Sequence, residues 1–170
     1  MVIPYLAFLA LVAGERISEV VRSRKNAARA FARGGIESCA GQIVLMKLLH
    51  GLFFAACALE VILLDRPFLP WLGISMLTVS VAAQAIRYWA VHSLAERWNI
   101  RVIVIPGMPL VTGGPYRVLR HPNYLAVVLE MFAIPLIHTA YLTAFVFSFL
   151  NGVLLHRRIR CEERALGIAA

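Results

Sequence analysis

Residues 121–155 read HPNYLAVVLEMFAIPLIHTAYLTAFVFSFLNGVLL, which is two apolar runs joined at His138. Each run has about 16 residues, slightly fewer than the roughly 20 that cross a bilayer as a helix. The stretch therefore predicts a tight helical hairpin in a membrane, in which Pro135 and Asn151 face protein rather than lipid. Because a hairpin brings its two ends together, residues near His121 and residues beyond Leu155 should be neighbours.

The rest of the chain also has the composition of a membrane protein. Of its 170 residues, 61% are apolar and the mean hydropathy is +0.77, whereas ordinary globular chains are roughly 45–50% apolar. We predict an all-α integral membrane protein in which residues 1–170 form one domain of about five transmembrane helices. The predicted spans are about Val2–Ala13 (continuing with a polar face to about Val21), Gln42–Leu64, Phe68–Ala90, Pro122–Ile137 and Thr139–Leu155.

The first 25 residues lack the basic start and the small-residue cleavage site of a signal peptide. Such a segment is typical of a first span that the mature protein retains.

Basic residues are confined almost entirely to alternate connections. Of the 17 Lys and Arg, all but Arg66 lie in or beside the connection after the first span, the connection after the third span, or the tail. Cytoplasmic loops of membrane proteins carry such an excess, so the pattern predicts an outside N-terminus and a cytoplasmic C-terminus. The net charge of +8 fits anionic membrane lipids better than nucleic acid, because the basic residues form no continuous stripe.

The cysteines give no sign of a disulfide framework or a metal site. Cys39, Cys57 and Cys161 are widely separated, without a CxxC motif or a histidine at ligand spacing. The sequence predicts three ordinary thiols in a reducing compartment and no bound metal.

Residues 101–116, RVIVIPGMPLVTGGPY, lie in the one long cytoplasmic connection late in the chain. A short β-like run comes first, and the prolines and glycines that follow it are turn formers. The connection leads directly into Arg120–Tyr124, RHPNY, in which Pro122 suits the first position of the fourth helix. That placement predicts unpaired, partly positive N–H groups at Asn123 and Tyr124, where a carboxylate would be favoured. A plainer interpretation makes His121 a helix N-cap and nothing more.

Two further polar pairs are predicted on the same side of the membrane. Glu162 and Glu163 follow the fifth span and suit an ammonium group or hydroxyl groups, although they could equally pair with arginines of the tail. Gln84 and Arg87 lie one helical turn apart near the inner end of the third span, where an arginine can also reach the interface.

Two carboxylates lie deeper in their helices. Glu60 and Glu130 fall within predicted spans, where ionisable groups are functional candidates by default. Glu60 is expected near the outer surface, beside Asp65.

Together these segments resemble the isoprenylcysteine carboxyl methyltransferase family of integral membrane methyltransferases. QAIRYWAVHSLAERW, residues 84–98, is similar to that family's Gln/Glu-x-x-Arg-x-Trp-Ala segment. LVTGGPYRVLRHPNY, residues 110–124, is similar to its Leu-Val-Thr-x-Gly-x-Tyr followed by Arg-His-Pro-x-Tyr, and CEE, residues 161–163, to its paired glutamates after a hairpin. The three motifs occur in the family's order, which makes residues 84–164 the expected cofactor-binding and catalytic half.

The resemblance implies S-adenosylmethionine as methyl donor, bound in a cytoplasmic pocket. Arg87, facing the acceptor, and Arg120 are the catalytic residues that it implies. The residues implied to hold the cofactor or shape its pocket are His121, Tyr124, Glu162, Glu163, Tyr116 and Gly114.

The acceptor is left open by the sequence. The family's prenylated cysteine carboxylate is one alternative, and the hydroxyl of a long-chain alkylpyrone or alkylresorcinol is the other, because the chain also resembles a bacterial branch that methylates such molecules. Both are lipophilic and would be reached through the membrane of a bacterium or archaeon. Two rival functions are an NADPH-dependent sterol-type membrane reductase and a small non-enzymatic transporter, although the sequence shows no internal repeat.

Overall fold

The computed structural model describes residues 1–168 and is predominantly helical in that range. The long helices are α1 (Val2–Ala32), α2 (Gln42–Leu63), α3 (Pro70–Leu94), α4 (Pro122–Leu136) and α5 (Tyr141–Ala165). Two three-residue strands, β1 (Ile36–Ser38) and β2 (Val102–Val104), complete the fold with short 3₁₀ turns at Ala95–Arg97 and Gly114–Arg117. The all-α prediction is confirmed, and β2 falls on the predicted β-like run.

Helices α1 and α5 run farther than their apolar spans predict. The first helix was expected to end near Val21 and the fifth span near Leu155, but the helices reach Ala32 and Ala165. The polar sequence beyond each span contains good helix formers and no proline, so nothing stops the helix where the bilayer would. Each ends instead at a glycine with positive φ, Gly34 or Gly167, in the hydrogen-bond pattern of a Schellman motif.

The predicted hairpin is present and its connection is short. Helix α4 ends at Leu136 and α5 begins at Tyr141. Thr139, in a left-handed conformation, donates its hydroxyl to the Pro67 carbonyl at 2.6 Å and so fixes the turn against the α2–α3 connection. Pro135 and Asn151 are both buried, as expected for residues that face protein.

Helix α4 is the centre of the bundle. It packs between α3 and α5, while α2 packs against both α1 and α5. The core is formed where α1, α2 and α4 meet, around the buried side chains of Leu9, Phe53, Cys57, Met131 and Ile134.

Large apolar side chains cover the outside of the bundle. Leu52 and Leu63 on α2 are 62% and 73% exposed, and Phe145 on α5 is 76% exposed. So many exposed large apolar side chains are unusual for a soluble monomer and are typical of helices that contact lipid. Helix α2 and the segment Pro70–Arg97 are long and apolar enough to cross a membrane, whereas α1 and α5 carry charged residues along part of their length, so the number of crossings remains a prediction.

The short sheet joins the α1–α2 connection to the α3–α4 connection. These two connections and the end of α5 carry most of the arginines, and we call this end of the bundle the arginine-rich end. Strand β1 pairs antiparallel with β2, with Glu37 opposite Ile103. The Glu37 carboxylate accepts a hydrogen bond of 2.7 Å from Nε of Arg101. The sheet therefore ties the α1–α2 connection to the long connection that leads into α4.

Glu60 has a structural position at the other end of the bundle. Its buried carboxylate accepts backbone N–H bonds from Leu142 at 3.1 Å and Thr143 at 2.7 Å, and the Thr143 hydroxyl at 2.7 Å. Arg66 completes the group with an ion pair of 2.8 Å. A carboxylate at a helix N-terminus satisfies free N–H groups and opposes the helix dipole, so Glu60 holds the start of α5.

Replacing Glu60 with alanine is expected to lower the free energy of unfolding by about 3 kcal/mol, since it leaves buried donors and the Arg66 guanidinium without their acceptor. Denaturation of the purified protein in detergent measures this loss. Asp65→Asn is the control, because Asp65 is exposed and asparagine tolerates its left-handed backbone conformation, so stability should change little. Equal stability of the two variants would contradict the capping role.

Candidate active site

The first turn of α4 and the last turn of α5 place four polar side chains in contact. His121 Nε2 lies 3.3 Å from an oxygen of Glu163, and the Tyr124 hydroxyl donates to the Glu162 carboxylate. The His121 and Tyr124 rings stack with centroids 5.3 Å apart. The hairpin therefore brings together residues about 40 positions apart in sequence, and we call His121, Tyr124, Glu162 and Glu163 the hairpin-end cluster.

The backbone at the start of α4 differs in one respect from the sequence prediction. His121 occupies the N-cap position with Pro122 after it, but its side chain makes no cap hydrogen bond and is free to contact Glu163. The Tyr124 amide was expected to be unpaired. It donates instead to the His121 carbonyl at 3.1 Å, because the first turn closes tightly after Pro122, so the prediction of a free N–H group there is wrong.

Arg158 joins the hairpin-end cluster and was not singled out by the sequence. Its Nε donates to the Tyr124 hydroxyl at 3.0 Å, and its Nη2 donates to the Ile100 carbonyl. The side chain is buried. The available signal was its position one helical turn before Glu162, which puts both residues on one face of α5.

Gly114 and Tyr116 shape the neighbouring turn. Gly114 has φ +59°, and a Cβ there would collide with the Ser93 side chain and come within 3.2 Å of Trp89 Nε1. Only glycine lets this turn pack so closely on α3. Tyr116 is half-buried, and burial, followed by the nearby Glu162 carboxylate, raises the pKa of its phenol above the usual value. The turn thus packs on α3, with Tyr116 as a neutral hydroxyl.

Arg120 lies apart from these contacts. Its side chain is exposed, and within residues 1–168 it has neither a hydrogen bond nor an ion pair. The structure does not bring its guanidinium into the hairpin-end cluster.

Arg87 lies in a second polar cluster, deeper between the helices. Its Nε and Nη2 contact the two oxygens of Glu130 at 3.1 and 2.5 Å, and it is only 4% exposed. Its Nη1 has longer contacts, 3.5 Å to Asn123 and 3.7 Å to Glu19. Asn123 precedes Tyr124 on α4, so the deeper cluster adjoins the hairpin-end cluster.

Helix α1 supplies charged groups to the deeper cluster. Arg16 donates to Glu19 at 2.9 Å and to Gln84 at 2.8 Å, and lies 3.7 Å from Glu130. Glu15 accepts from the Gln84 amide. These α1 residues were not predicted from the sequence to belong to the site. Three charged residues within five positions, directly after the apolar first part of α1, were the available signal.

The prediction of three free thiols is wrong for two of them. Cys39 and Cys161 form a disulfide across a sequence separation of 122 residues, with Cα atoms 6.6 Å apart; Cys57 is free and buried. Widely separated cysteines carry no local signal of pairing, and here the fold of α5 against the α1–α2 connection brings them together. The bond fastens that connection beside Glu162.

Thiol alkylation measures this pairing. The folded protein, purified without reductant, should take up no alkylating reagent, and mild reduction should expose two reactive cysteines, since Cys57 is inaccessible. Cys57→Ser should give the same counts. Modification of two cysteines before reduction would show that the disulfide is absent.

Comparison with known proteins shows the family to which the chain belongs. Residues 76–168 match the isoprenylcysteine carboxyl methyltransferase (ICMT) family, and this range contains both ends of the hairpin and Arg87. The chain is 40% identical to an uncharacterized protein, YpbQ, of Bacillus subtilis over 93% of its length and 94% of the relative's. It is also 26% identical to an uncharacterized protein of Haemophilus influenzae, over 80% of this chain and 79% of that one. Because the family match covers more than half of the chain, the chain belongs to the isoprenylcysteine carboxyl methyltransferase family of membrane methyltransferases.

Proposed function

We propose that the protein is an S-adenosylmethionine-dependent O-methyltransferase that acts on a lipophilic acceptor held in a bacterial cell membrane, with its active site on the cytoplasmic side. The observation that carries this proposal is the hairpin-end cluster. Two carboxylates, an imidazole and a phenol meet where the family's motifs meet, at the arginine-rich end of an apolar bundle.

The donor set of the hairpin-end cluster suits a zwitterionic, water-soluble cofactor. Glu162 and Glu163 can accept hydrogen bonds from an ammonium group or from ribose hydroxyls. Their side chains are 29% and 22% exposed, so a ligand from the aqueous side can replace their present partners. The stacked His121 and Tyr124 rings offer a flat surface and two exchangeable hydrogen-bonding groups.

S-adenosylmethionine would supply an electrophilic methyl group on a sulfonium, whose transfer requires no covalent bond to the protein. The protein must therefore hold the acceptor oxygen in line with the bond between the methyl carbon and the sulfur, and it must exclude water. The deeper cluster is suited to the first task, since it lies within the helices next to the hairpin-end cluster. The apolar bundle around it provides the second.

Arg87 has one edge available for an acceptor anion. Glu130 occupies Nε and Nη2 at 3.1 and 2.5 Å, whereas the contacts of Nη1 at 3.5 and 3.7 Å are longer than a strong hydrogen bond. Nη1 can therefore bind the oxygen of a carboxylate, which is already ionised at neutral pH. For a phenol or enol acceptor the same group would stabilise the oxyanion.

Membranes containing the full-length protein test the activity directly. After incubation with methyl-labelled S-adenosylmethionine, label should appear in extracted lipid, and mass spectrometry identifies the product. A base-labile methyl ester would identify a prenylcysteine-type carboxylate, and a base-stable ether would identify an alkylpyrone or alkylresorcinol hydroxyl. Absence of both labelled product and cofactor binding, or consumption of NADPH in its place, would overturn the proposal.

A further inference from the structure

A cavity lies at the arginine-rich end, away from the hairpin-end cluster. It has a volume of about 360 Å³, within the roughly 300–1,000 Å³ of ligand pockets. The C-terminal half of α1 and the start of α2 line it, together with Glu37 of β1, Ile100 and Arg101. Most of its lining precedes residue 76, outside the part of the chain that matches the family.

The walls of this cavity are apolar and made partly of small residues. The cavity exists because three of its lining side chains are small, namely Ala27 and Ala28 on α1 and Ala40 before α2. The larger side chains of Phe31 and Ile43 also line it. The α1 residues recur at helical spacing, so one continuous face of that helix lines the cavity. Such walls suit a hydrocarbon group.

The cavity also carries an excess of positive charge. Arg24, Lys47 and Arg101 line it against one carboxylate, Glu37. Arg101 is already committed to Glu37 and packs 5.3 Å from the Phe31 ring. Within residues 1–168, Arg24 and Lys47 have neither a hydrogen bond nor an ion pair. Two cations beside apolar walls therefore lack a counter-charge.

The surface next to the cavity is apolar and is not covered by other parts of the protein. Val44 and Leu48, on either side of Lys47 in α2, are 60% and 56% exposed. A hydrocarbon chain that extended from the cavity along α2 would remain on this apolar surface. Positive-inside orientation puts Arg24 and Lys47 at the depth of the cytoplasmic headgroups.

We propose that this cavity is a binding site for one anionic phospholipid, whose phosphate lies between Arg24 and Lys47 and whose upper acyl chain packs on the α1–α2 walls. The site is distinct from the hairpin-end cluster, because Ile100 separates them: it lines the cavity, and its carbonyl accepts the hydrogen bond from Arg158 on the other side. A lipid held here would brace the α1–α2 connection against α1 and α2.

Native mass spectrometry of the full-length protein, reconstituted in equimolar phosphatidylglycerol and phosphatidylcholine and then extracted, measures the retained lipid. The parent should retain one phosphatidylglycerol in preference to phosphatidylcholine. The double variant Arg24→Ala, Lys47→Ala should lose that retention by about thirtyfold, since each basic residue adds a comparable share of anionic-lipid affinity. The matched control Arg22→Ala, Lys25→Ala removes two exposed charges of α1 that do not line the cavity and should retain the lipid.

A second variant separates the site from general charge effects. Ala28→Leu fills the cavity without altering any charge and should also expel the lipid, and circular dichroism checks that each variant is folded. Equal retention by the parent, the charge variant and Ala28→Leu would overturn the proposal, as would equal retention of the two lipids. Inorganic phosphate is the competing probe: complete displacement of the lipid by millimolar phosphate would show a free-phosphate site instead.

Discussion

Replacing Glu162 with glutamine is expected to weaken S-adenosylmethionine binding by roughly 10- to 100-fold, because a charge-assisted hydrogen bond contributes about 1.5–3 kcal/mol. Glutamine keeps the size of the side chain but removes the negative charge that an ammonium group or ribose hydroxyls would prefer. His121→Ala should act in the same direction, since it removes both the contact with Glu163 and the ring stacked on Tyr124. Isothermal titration of the protein in lipid nanodiscs measures both effects.

Glu96→Gln is the matched control for Glu162→Gln. Glu96 is also a carboxylate at the arginine-rich end, where it forms ion pairs with Arg29 and Arg33, but it lies outside the hairpin-end cluster and its side chain is 52% exposed. Binding should stay at the parent level in that variant. If Glu162→Gln and His121→Ala both bound the cofactor as tightly as Glu96→Gln does, the assignment of the cluster would be wrong.

Arg87 should govern turnover rather than cofactor affinity. Losing a donor that stabilises a developing or bound anion in a dry site costs about 10²–10³ in kcat, so Arg87→Gln should lower kcat at least a hundredfold while the cofactor Kd stays near that of the parent. In Glu162→Gln the larger change should be in the cofactor Kd, so the relative changes in kcat and Kd distinguish the two variants. Single-turnover methyl transfer with saturating cofactor measures it.

Variants of the Arg87–Glu130 ion pair separate an effect on activity from an effect on stability. Either Arg87→Gln or Glu130→Gln alone leaves a buried charge with only one longer ion pair, at 3.7 Å to Arg16 or to Glu19, and should cost about 3 kcal/mol of stability, whereas the double variant removes both charges and should recover most of that loss. Activity should not recover with it. A double variant that is both stable and fully active would show that Arg87 serves only the fold.

The hairpin and its two ends were predictable because their signals are local. Two apolar runs joined at His138 require antiparallel neighbours, and that alone brings Arg120–Tyr124 near Glu162 and Glu163. The structure bears out this proximity down to the 3.3 Å contact of His121 with Glu163. Arg158 could have been found by the same reasoning, from its place one turn before Glu162.

Long-range packing explains what the sequence did not show. Arg16 and Glu19 enter the deeper cluster only because α1 packs beside α2 and presents one polar face toward Arg87 and Glu130. The Cys39–Cys161 disulfide likewise depends on how α5 meets a connection far away in sequence. The predicted ends of α1 and α5 were also wrong. Hydropathy shows where an apolar span leaves the bilayer, whereas both helices continue until they reach the glycines Gly34 and Gly167.

Direct ultraviolet cross-linking tests the site most plainly. Full-length protein in nanodiscs is irradiated with radiolabelled S-adenosylmethionine, and the labelled peptides are mapped by mass spectrometry. We predict label on the segments around 116–124 and 158–163, suppressed by excess unlabelled cofactor and reduced in Glu162→Gln. Specific label confined to other segments, such as the cavity between α1 and α2, would contradict a cofactor site at the ends of the α4–α5 hairpin.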